Sequence, residues 1–366
     1  MMQKSRLVFI IHALNVGGAE RIIVTLLNHV DRDKYEVHLI LFQAIGAFMD
    51  EIKDDVIVHN LNAPSAKKGL LSLIKKLHYL KPDTVFSGIG FVNSLLSAFI
   101  PLVNRLSNKN IHWVARETNI VSIINNKERF SSINNWLYRH TYKNYNVIVC
   151  QSNVMRQDLL EQYQIPNEKM VIINNPVDIE RVQKGSLEEL PRPFLKEKLN
   201  ILAVGAMRTQ KRFDLLLQAF ALLQPNHYTL TIVGTGVEES KIKALAHKLG
   251  IVSSVYFEGF QSNPYKYMQH ADMMVLSSEY EGFPNVLLEA NSCGLPIIAF
   301  DCKGGTTEII KEGFNGQLVP CKDIQKLAQK IEQFSAENFD ANGIKEHIRN
   351  NYHLDIILKQ YNEVLL

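Results

Sequence analysis

The sequence has few cysteines, few tryptophans and almost no excess of charge. Three of its four cysteines (Cys150, Cys293, Cys302, Cys321) lie in or beside apolar segments, and none forms the close pairs of a zinc site. We therefore expect buried, reduced thiols rather than disulfides. The net charge of +3 over 366 residues is too small to indicate nucleic-acid binding.

Long apolar runs are missing as well. The run "RLVFIIHAL" leads into Gly-Gly-Ala-Glu and not into a small-residue cleavage site, so it predicts a first strand rather than a signal peptide. The most apolar region, "GIGFVNSLLSAFIPLV", is interrupted by Asn93 and Pro101 and is too short for a bilayer span. We expect a globular protein without a transmembrane helix, since 46% of the residues are hydrophobic and 21% are charged.

What the sequence does contain is a regular alternation of β-branched runs with amphipathic helical patterns in both halves. This alternation predicts an α/β fold of two doubly wound Rossmann-like domains, each with a parallel sheet, facing across a cleft. A segment rich in proline and charge separates the halves. The predicted organisation is a first domain at 1–180, a linker at 181–198, a second domain at 199–345, and a C-terminal helix at 346–366 that packs across the domain junction.

Ligands of such sheets bind beyond the carboxyl ends of the strands, so the loops that follow strands are the candidate sites. Gly17 and Gly18 follow the first strand and open a helix, where backbone amides can approach a phosphate. An ordinary tight turn explains them equally well, and the same alternative holds for Gly234 and Gly236. Glycines alone therefore do not decide the ligand.

The loop "GAMRTQKRFD" follows a strand of the second half and carries Arg208, Lys211 and Arg212. Three cations at the ligand edge of a sheet suit a diphosphate. A solvated basic loop is the alternative.

The stretch "YEGFPNVLLE" places two carboxylates around a turn. Pro284 suits the first turn of a helix and Gly294 suits its end, so Glu281 lies in the loop and Glu289 on the helix. Amides at the helix start bind phosphate, and carboxylates accept hydrogen bonds from sugar hydroxyls. The pattern therefore indicates a nucleotide diphosphate that carries a sugar. The helix dipole alone would account for Glu281 but not for Glu289.

The longer segment "SSEYEGFPNVLLEANSCGLPIIAFDCKGGTTEII" resembles the signature region of glycosyltransferase family 4, the retaining transferases of the GT-B fold. The stretches "NVGGAERIIVTLLN", "QKRFDLLLQAF" and "NNPVD" fit the same family, and the resemblance covers nearly the whole chain. It implies that the first domain lies on the acceptor side and that the second domain binds the nucleotide sugar.

The resemblance also implies roles for individual residues. Glu289 would bind the ribose hydroxyls, Glu281 would lie beside the transferred sugar, and Lys211 would contact the phosphates. Gly17 and Gly18 would face the same diphosphate from the other domain. Sugar hydroxyls and diphosphate would be held by the backbone of Gly282, Phe283, Pro284, Asn285 and Val286.

Two positions depart from the family pattern. Ala206 stands where the family often has arginine, and Arg208 is close enough in sequence to replace it. Where many members have a histidine near the transferred sugar, this chain has "ARETN", so we expect Arg116, Glu117 or Asn119 to face the sugar or the acceptor.

No cluster of histidines and carboxylates has metal-ligand spacing. His12 is typical of a packed histidine, and the "DRD" of Asp31–Asp33 lies at the wrong edge of the sheet for a metal. We therefore expect no cofactor beyond the nucleotide-sugar donor and no requirement for a divalent ion.

The resulting prediction is a retaining transferase that moves a hexose or N-acetylhexosamine from a nucleotide-diphosphate sugar, most simply a UDP-sugar, to a growing glycan. We expect a lipid-linked acceptor of capsule, O-antigen or lipopolysaccharide assembly and a cytoplasmic enzyme peripheral to the membrane's inner face. The motivation is the set of lysines beside an apolar helical stripe in "SAKKGLLSLIKKLHYLKP": Lys67, Lys68, Lys75 and Lys76. An ordinary amphipathic surface helix is the alternative.

Two other activities fit parts of the pattern. A sugar-nucleotide 2-epimerase of similar architecture needs acid and base carboxylates in both domains, and no clear set is present. A dinucleotide-dependent oxidoreductase needs Gly-x-Gly-x-x-Gly and an acidic residue at the end of the second strand, where this chain has Gln43.

Overall fold

The computed structural model describes residues 4–127, 131–224 and 226–365. These residues form two compact units. The first falls within Met1–Pro176 and Asp355–Leu366, and the second is Val177–Leu354. Both units are α/β, as the alternation of strand and helix patterns predicts.

The first unit is built on a seven-stranded sheet in the order β3-β2-β1-β4-β5-β6-β7. All of its strand pairs are parallel. Because the order reverses between β1 and β4, the carboxyl ends of these two strands form a topological switch point. The strands are β1 (Ser5–Ile11), β2 (Tyr35–Leu41), β3 (Ile57–Asn60), β4 (Thr84–Ser87), β5 (His112–Arg116), β6 (Val147–Cys150) and β7 (Met170–Ile172).

Eight helices cover this sheet in the part of the chain that the structure describes. Serine caps start two of them: the Ser65 Oγ accepts from the amide of Lys68, and the Ser152 Oγ accepts from the amide of Met155. The helices are α1 (Gly18–His29), α2 (Ala66–Leu80), α3 (Gly90–Ser97), α4 (Ile100–Ser107), α5 (Val121–Lys127), α6 (Ser131–His140), α7 (Asn153–Tyr163) and, at the far end of the chain, α16 (Leu354–Val364).

The second unit has a six-stranded parallel sheet in the order β10-β9-β8-β11-β12-β13. Its switch point lies between β8 and β11. The strands are β8 (Leu199–Val204), β9 (Tyr228–Val233), β10 (Val255–Gly259), β11 (Met273–Leu276), β12 (Ile297–Asp301) and β13 (Gly316–Pro320). Its helices are α8 (Ile179–Ser186), α9 (Phe213–Phe220), α10 (Glu239–Lys248), α11 (Tyr265–His270), α12 (Asn285–Ser292), α13 (Thr306–Ile309), α14 (Ile324–Glu332) and α15 (Ala341–Tyr352).

Neighbouring residues of the central strands enter different hydrophobic clusters. Ile201 and Ala203 belong to one cluster, with side chains of α9, α10 and α14, whereas Leu202 belongs to another, with side chains of α8, α11 and α12. Residues of a strand alternate between the two faces, so a sheet covered on both sides needs nearly continuous apolar strands. This is why the strands read as unbroken apolar runs.

The ends of the predicted domains differ from the observed elements. Helix α8 occupies part of the range predicted as a linker, and the range predicted as one C-terminal helix contains the end of α15 and all of α16. The break falls at His353, whose backbone leaves the helical region (φ −56°, ψ 143°) and pairs in parallel with Val177. The Val177 amide donates to the Tyr352 carbonyl at 2.8 Å, and this pairing interrupts the helix.

Within the described ranges, every helix is too short or too polar to cross a bilayer. Of the four cysteines, Cys150, Cys293 and Cys302 are buried, Cys321 is exposed, and all are free thiols, as expected. Burial raises the pKa of the Cys293 and Cys302 thiols to about 12 each, so both stay protonated at neutral pH.

Candidate functional site

The candidate site lies at the switch point of the second unit, where the loops after β8 and β11 meet. Gln210 connects the two loops: its Nε2 donates to the Tyr280 carbonyl at 2.7 Å, and its own carbonyl accepts from the Glu279 amide at 2.9 Å. The Ser277 hydroxyl adds a bond to the Lys211 carbonyl at 2.8 Å. These bonds bring together two segments that are about seventy positions apart in the sequence.

The centre of the site is an ion pair between Lys211 and Glu281. The Lys211 Nζ lies 2.6 Å from the Glu281 Oε1, and the Ser278 hydroxyl donates to the same oxygen at 2.6 Å. Glu281 is only 6% exposed. A carboxylate this buried requires its charged partner, because an unpaired charge in the interior is costly. The pairing with Lys211 and the contact with Ser278 were not predicted from the sequence.

A third loop, which follows β12, supports the Glu281 backbone. The Glu281 amide donates to the Lys303 carbonyl at 3.0 Å, and the Gly305 amide donates to the Gly282 carbonyl at 2.9 Å. Gly304 has φ +131°, and a Cβ at this position would lie 1.7 Å from the Glu281 carbonyl oxygen. Only glycine fits so close an approach of two backbones.

Helix α12 begins directly after this turn, with Pro284 as its N-cap and not, as predicted, in its first turn. Proline has no side-chain acceptor, so the N-cap residue does not cap the first amides of α12. The positive end of the helix dipole therefore follows directly on the Glu281 loop. The side chain of Phe283 is buried, with its ring 6.0 Å from that of Tyr352. The helix ends at Ser292, and Gly294 follows with φ +77°, as predicted for the residue after a C-cap.

Glu289 lies on α12 and is half-buried, on a different element from Glu281, as predicted. The two carboxylates therefore have different surroundings: one is enclosed in an ion pair, and the other is carried by a helix. Such a difference suits two separate tasks at one site.

The three cations of the loop after β8 do not act alike. Arg212 has a left-handed backbone (φ +48°), and its guanidinium donates to both carboxylate oxygens of Asp214, at 2.9 and 2.8 Å. The hydrogen bonds that Arg212 donates to Asp214 raise the pKa of Arg212 further. Arg212 therefore already has a carboxylate partner, as Lys211 has in Glu281, and diphosphate binding by the cations of this loop stays a prediction. Arg208 is exposed, and its assignment as a substitute for the arginine missing at Ala206 stays a prediction.

In the first unit, Gly17 is the N-cap of α1, and Gly18 begins the helix. The carboxylate of Glu20 lies next to Gly17, where a side chain would collide with it. His12 is half-buried, and its ring stacks 5.7 Å from that of Phe42, as expected of a packed histidine. The contact of Gly17 and Gly18 with a phosphate stays a prediction.

Arg116 and Glu117, two of the residues expected to face the sugar or the acceptor, are both buried in the first unit. Arg116 is fully buried, with its Nε donating to the Tyr361 hydroxyl at 3.1 Å and its Nη2 donating to Asn175 at 2.6 Å. These contacts hold α16 and the end of the first unit's chain in place. Its Nη1 is buried without a hydrogen-bond partner among the described residues, so the contacts inside the unit do not use the whole guanidinium, and its contact with sugar or acceptor stays a prediction.

Glu117 is 2% exposed, and its Oε1 accepts hydrogen bonds from the hydroxyls of Tyr138 and Tyr142 and from the amide of Asn93. Burial raises the pKa of Glu117, although these three donors oppose the shift. Its carboxylate thus joins two tyrosines of the first unit, and its contact with sugar or acceptor stays a prediction. Asn119 is half-buried and caps the amide of the next residue with its own Oδ1.

Among residues 4–127, 131–224 and 226–365, no group of three or more His, Cys, Asp or Glu side chains is arranged to hold a metal ion. The Lys211 ammonium is the positive group that contacts the Glu281 carboxylate in the described structure, and α12 begins four residues after Glu281.

Comparison with known proteins adds the decisive observation. The family "Glycosyl transferases group 1" matches residues 188–351, and "Glycosyltransferase Family 4" matches residues 16–181. A Campylobacter jejuni protein, N-acetylgalactosamine-N,N'-diacetylbacillosaminyl-diphospho-undecaprenol 4-alpha-N-acetylgalactosaminyltransferase, is 30% identical over 332 residues, which cover 88% of each chain. The chain belongs to glycosyltransferase family 4.

Solved structures confirm the fold of this glycosyltransferase. The Anabaena protein HepE in complex with UDP and glucose superposes with a TM-score of 0.81 at 19% identity and 99% coverage of both chains. The lipopolysaccharide outer core galactosyltransferase WaaB gives a TM-score of 0.74 at 21% identity, with 98% of each chain covered. The predictions of the family, of the GT-B fold and of a transferase enzyme are confirmed. Family membership excludes the oxidoreductase alternative.

Proposed function

We propose that this glycosyltransferase moves a hexose or N-acetylhexosamine from a UDP-sugar, with retention of configuration, to a lipid-linked glycan of a bacterial cell-surface polysaccharide. The observation that carries the proposal is the ion pair between the half-buried Lys211 and the buried Glu281, in the loop that leads into α12. It combines a cation and helix amides for a diphosphate with a carboxylate for a sugar that gains positive charge.

In the proposed reaction, an acceptor hydroxyl oxygen forms a bond to the sugar C1 as the C1–O bond to the diphosphate breaks. The bonding electrons leave with the diphosphate, which also takes the acceptor proton on the same face of the sugar. Lys211 and the backbone N–H groups of Gly282, Phe283, Asn285 and Val286 stabilise the leaving charge, since fixed dipoles aimed at developing charge are usually the largest catalytic contribution. Glu281 stabilises the sugar, and Glu289 binds the ribose hydroxyls.

The names of similar proteins support the choice of substrates. The Campylobacter jejuni relative is named for an acceptor linked to diphospho-undecaprenol and for an α linkage. A Staphylococcus aureus relative, 27% identical over 223 residues, is named poly(ribitol-phosphate) alpha-N-acetylglucosaminyltransferase. HepE was solved with UDP and with UDP-glucose. A UDP-sugar donor and an α-linked product are therefore proposed for this chain.

The test is to incubate the protein with UDP-N-acetylgalactosamine, UDP-N-acetylglucosamine, UDP-glucose, UDP-galactose and GDP-mannose, each with and without an undecaprenyl-diphosphate saccharide. We expect one UDP-sugar to be consumed faster with the acceptor and the product to be α-linked by NMR. An inverted linkage would refute retention. Release of a free 2-epimeric sugar without use of the acceptor would instead establish the epimerase.

Metal independence is a separate expectation. If Lys211 and the α12 amides take the place of a divalent ion at the diphosphate, transfer should continue at an unchanged rate after exhaustive treatment with EDTA. Rates with and without added Mg²⁺ or Mn²⁺ measure this directly. Complete loss in EDTA that only a divalent ion restores would contradict the expectation.

We also propose that the first unit contacts an anionic membrane through α2. The apolar side of this helix, with Leu73, Ile74 and Leu77, is buried in the unit's core, so the alternative of an ordinary amphipathic helix explains the stripe. The opposite side exposes Lys67, Lys68 and Lys75, and α2 contains no acidic residue. It is this basic side that would meet lipid headgroups.

Vesicle binding should therefore depend on charge. We expect the protein to sediment with vesicles that contain phosphatidylglycerol and not with vesicles of pure phosphatidylcholine. Binding should weaken as salt is raised toward 0.5 M, because salt screens the attraction between the lysines and the anionic headgroups. The Debye length falls to about 3 Å at 1 M salt. Equal binding to neutral vesicles, or no binding to either kind, would rule out the α2 contact.

A further inference from the structure

A basic pocket lies at the amino-terminal edge of the first unit's sheet. Its volume is about 190 Å³, which is roughly six times the share of one water molecule in the liquid. The lining residues are Lys4, Ser5, Arg6, Lys81, Asp83 and Lys109. Strand β1 begins at the pocket and β4 begins after Asp83, so the pocket is at the edge opposite to the one where parallel sheets bind their substrates.

Two of the four cations in this pocket already have partners. The Lys109 ammonium donates to the Asp83 Oδ1 at 2.6 Å, and the Arg6 amide donates to the Asp83 Oδ2 at 2.8 Å. The Arg6 guanidinium donates to the Leu80 carbonyl at 2.8 Å and lies 3.6 Å from the Glu36 carboxylate. The single carboxylate that lines the pocket is thus occupied.

The ammonium groups of Lys4 and Lys81 are different. Within the part of the chain that the structure describes, neither makes a hydrogen bond or an ion pair, and both side chains are exposed. Both lysines line the same pocket, and neither ammonium is neutralised by the carboxylate there. The pocket therefore favours an anionic ligand with several acceptor oxygens.

The fold brings this pocket to the ends of two packed helices. Helix α2 ends at Leu80, and its C-cap Lys81 adopts the left-handed conformation (φ +45°). Helix α4 packs against α2 and ends one residue before Asn108. The Lys109 ammonium donates to the Lys81 carbonyl at 3.1 Å and so joins the two helix ends. Lysines there also complement the negative ends of the helix dipoles.

The helix turns nearest to the pocket expose apolar side chains. Tyr79, two residues before Lys81, is 79% exposed, and Leu71, two turns earlier on α2, is 72% exposed. On α4, Leu106 is 46% exposed, three residues before Lys109. Neither α2 nor α4 contains an acidic residue. Apolar side chains beside a cationic pocket match the boundary between acyl chains and phosphates in a membrane.

We propose that the pocket of Lys4, Arg6, Lys81 and Lys109 binds the phosphate of an anionic phospholipid headgroup, with Tyr79 and Leu106 at the lipid boundary. The inference rests on the proposed membrane contact of α2 and assigns to it a specific phosphate site. Because the pocket lies at the edge opposite to the substrate edge of the sheet, it is not a site for donor or acceptor.

The test compares two double variants. The pocket variant carries Lys4→Gln and Lys81→Asn. The control carries Lys53→Gln and Lys143→Gln, which remove the same amount of charge from the same unit. Asparagine tolerates the left-handed backbone at position 81, so the pocket variant should fold. Binding to vesicles of phosphatidylcholine with 30% phosphatidylglycerol is measured by sedimentation. We expect roughly tenfold weaker binding for the pocket variant and less than about twofold for the control.

Three outcomes separate the ideas. Equal losses in the two variants would mean that only overall charge matters, and this would overturn the pocket while leaving the α2 contact intact. Absence of vesicle binding by the parent protein would overturn both. In the third outcome, inorganic phosphate or UMP binds the parent protein but not the pocket variant, while both variants bind vesicles like the parent. The pocket then binds a free anion, and the lipid assignment is wrong. Donor turnover with a short soluble acceptor should be the same in all three proteins.

Discussion

Glu281→Gln is expected to lower kcat by roughly ten- to more than a hundredfold and to leave the donor KM nearly unchanged, since a hydrogen bond involving a charged group contributes about 1.5–3 kcal/mol. The carboxylate is proposed to act where positive charge develops on the sugar, so its charge stabilises the transition state more than bound donor. Glutamine keeps the volume of the side chain and can still accept the hydrogen bonds of Ser278 and Lys211. Turnover and donor affinity are measured with the UDP-sugar identified above.

Glu289→Gln is the matched comparison. Its carboxylate is proposed to hold the ribose, which does not change during the reaction, so its loss should weaken ground state and transition state alike and raise the donor KM. Thermal unfolding of both variants shows whether the parent fold is kept. If both variants bind and turn over donor like the parent protein, the donor site lies elsewhere. Reversed effects would leave the family assignment in place and move the sugar to Glu289.

Gly304→Ala is expected to abolish most activity and to lower the free energy of unfolding by more than about 3 kcal/mol. The new Cβ would lie 1.7 Å from the Glu281 carbonyl oxygen, a distance that no rotamer can relieve because both groups belong to backbone. The Glu281 loop would have to move, and with it the carboxylate that pairs with Lys211. Chemical denaturation and turnover together measure the two losses.

Gly313→Ala in the same unit is the control. Gly313 also has a positive φ, +76°, but a Cβ there would meet nothing within 4 Å. Alanine at this position therefore carries the cost of the left-handed backbone alone, about 1 kcal/mol, and activity should persist. Equal destabilisation in the two variants would show that backbone conformation, and not the approach to Glu281, explains the requirement for glycine at 304.

Much of the candidate site in the second unit was predicted from local sequence patterns. Apolar runs of strand length identified β8, β11 and β12, and Pro284 and Gly294 bracketed α12 to within one residue. These signals are local because proline and glycine act through their own backbone angles. The placement of Glu281 in a loop and Glu289 on a helix follows from the same local rules.

The ion-pair partners of the charged side chains could not be predicted from local patterns. Lys211 and Arg212 are adjacent in the sequence, yet one pairs with Glu281 and the other with Asp214, because the left-handed backbone at 212 turns the second side chain aside. The sequence also contains no sign that two tyrosines, one from α6 and one from the turn that follows it, donate hydrogen bonds to the Glu117 carboxylate.

By itself, the sequence determined the alternation of strands and helices, the two domains, the family and the candidate donor residues. These features depend on periodicity and turn chemistry, which involve residues only a few positions apart. Tertiary structure decided which charged groups meet. Lys211 and Glu281 are joined across the β8–β11 switch point, and Lys4, Lys81 and Lys109 come together only because β1, α2 and α4 end or begin at one edge of a sheet. The free energy of a buried charge depends on partners brought by the whole fold, and no local pattern encodes them.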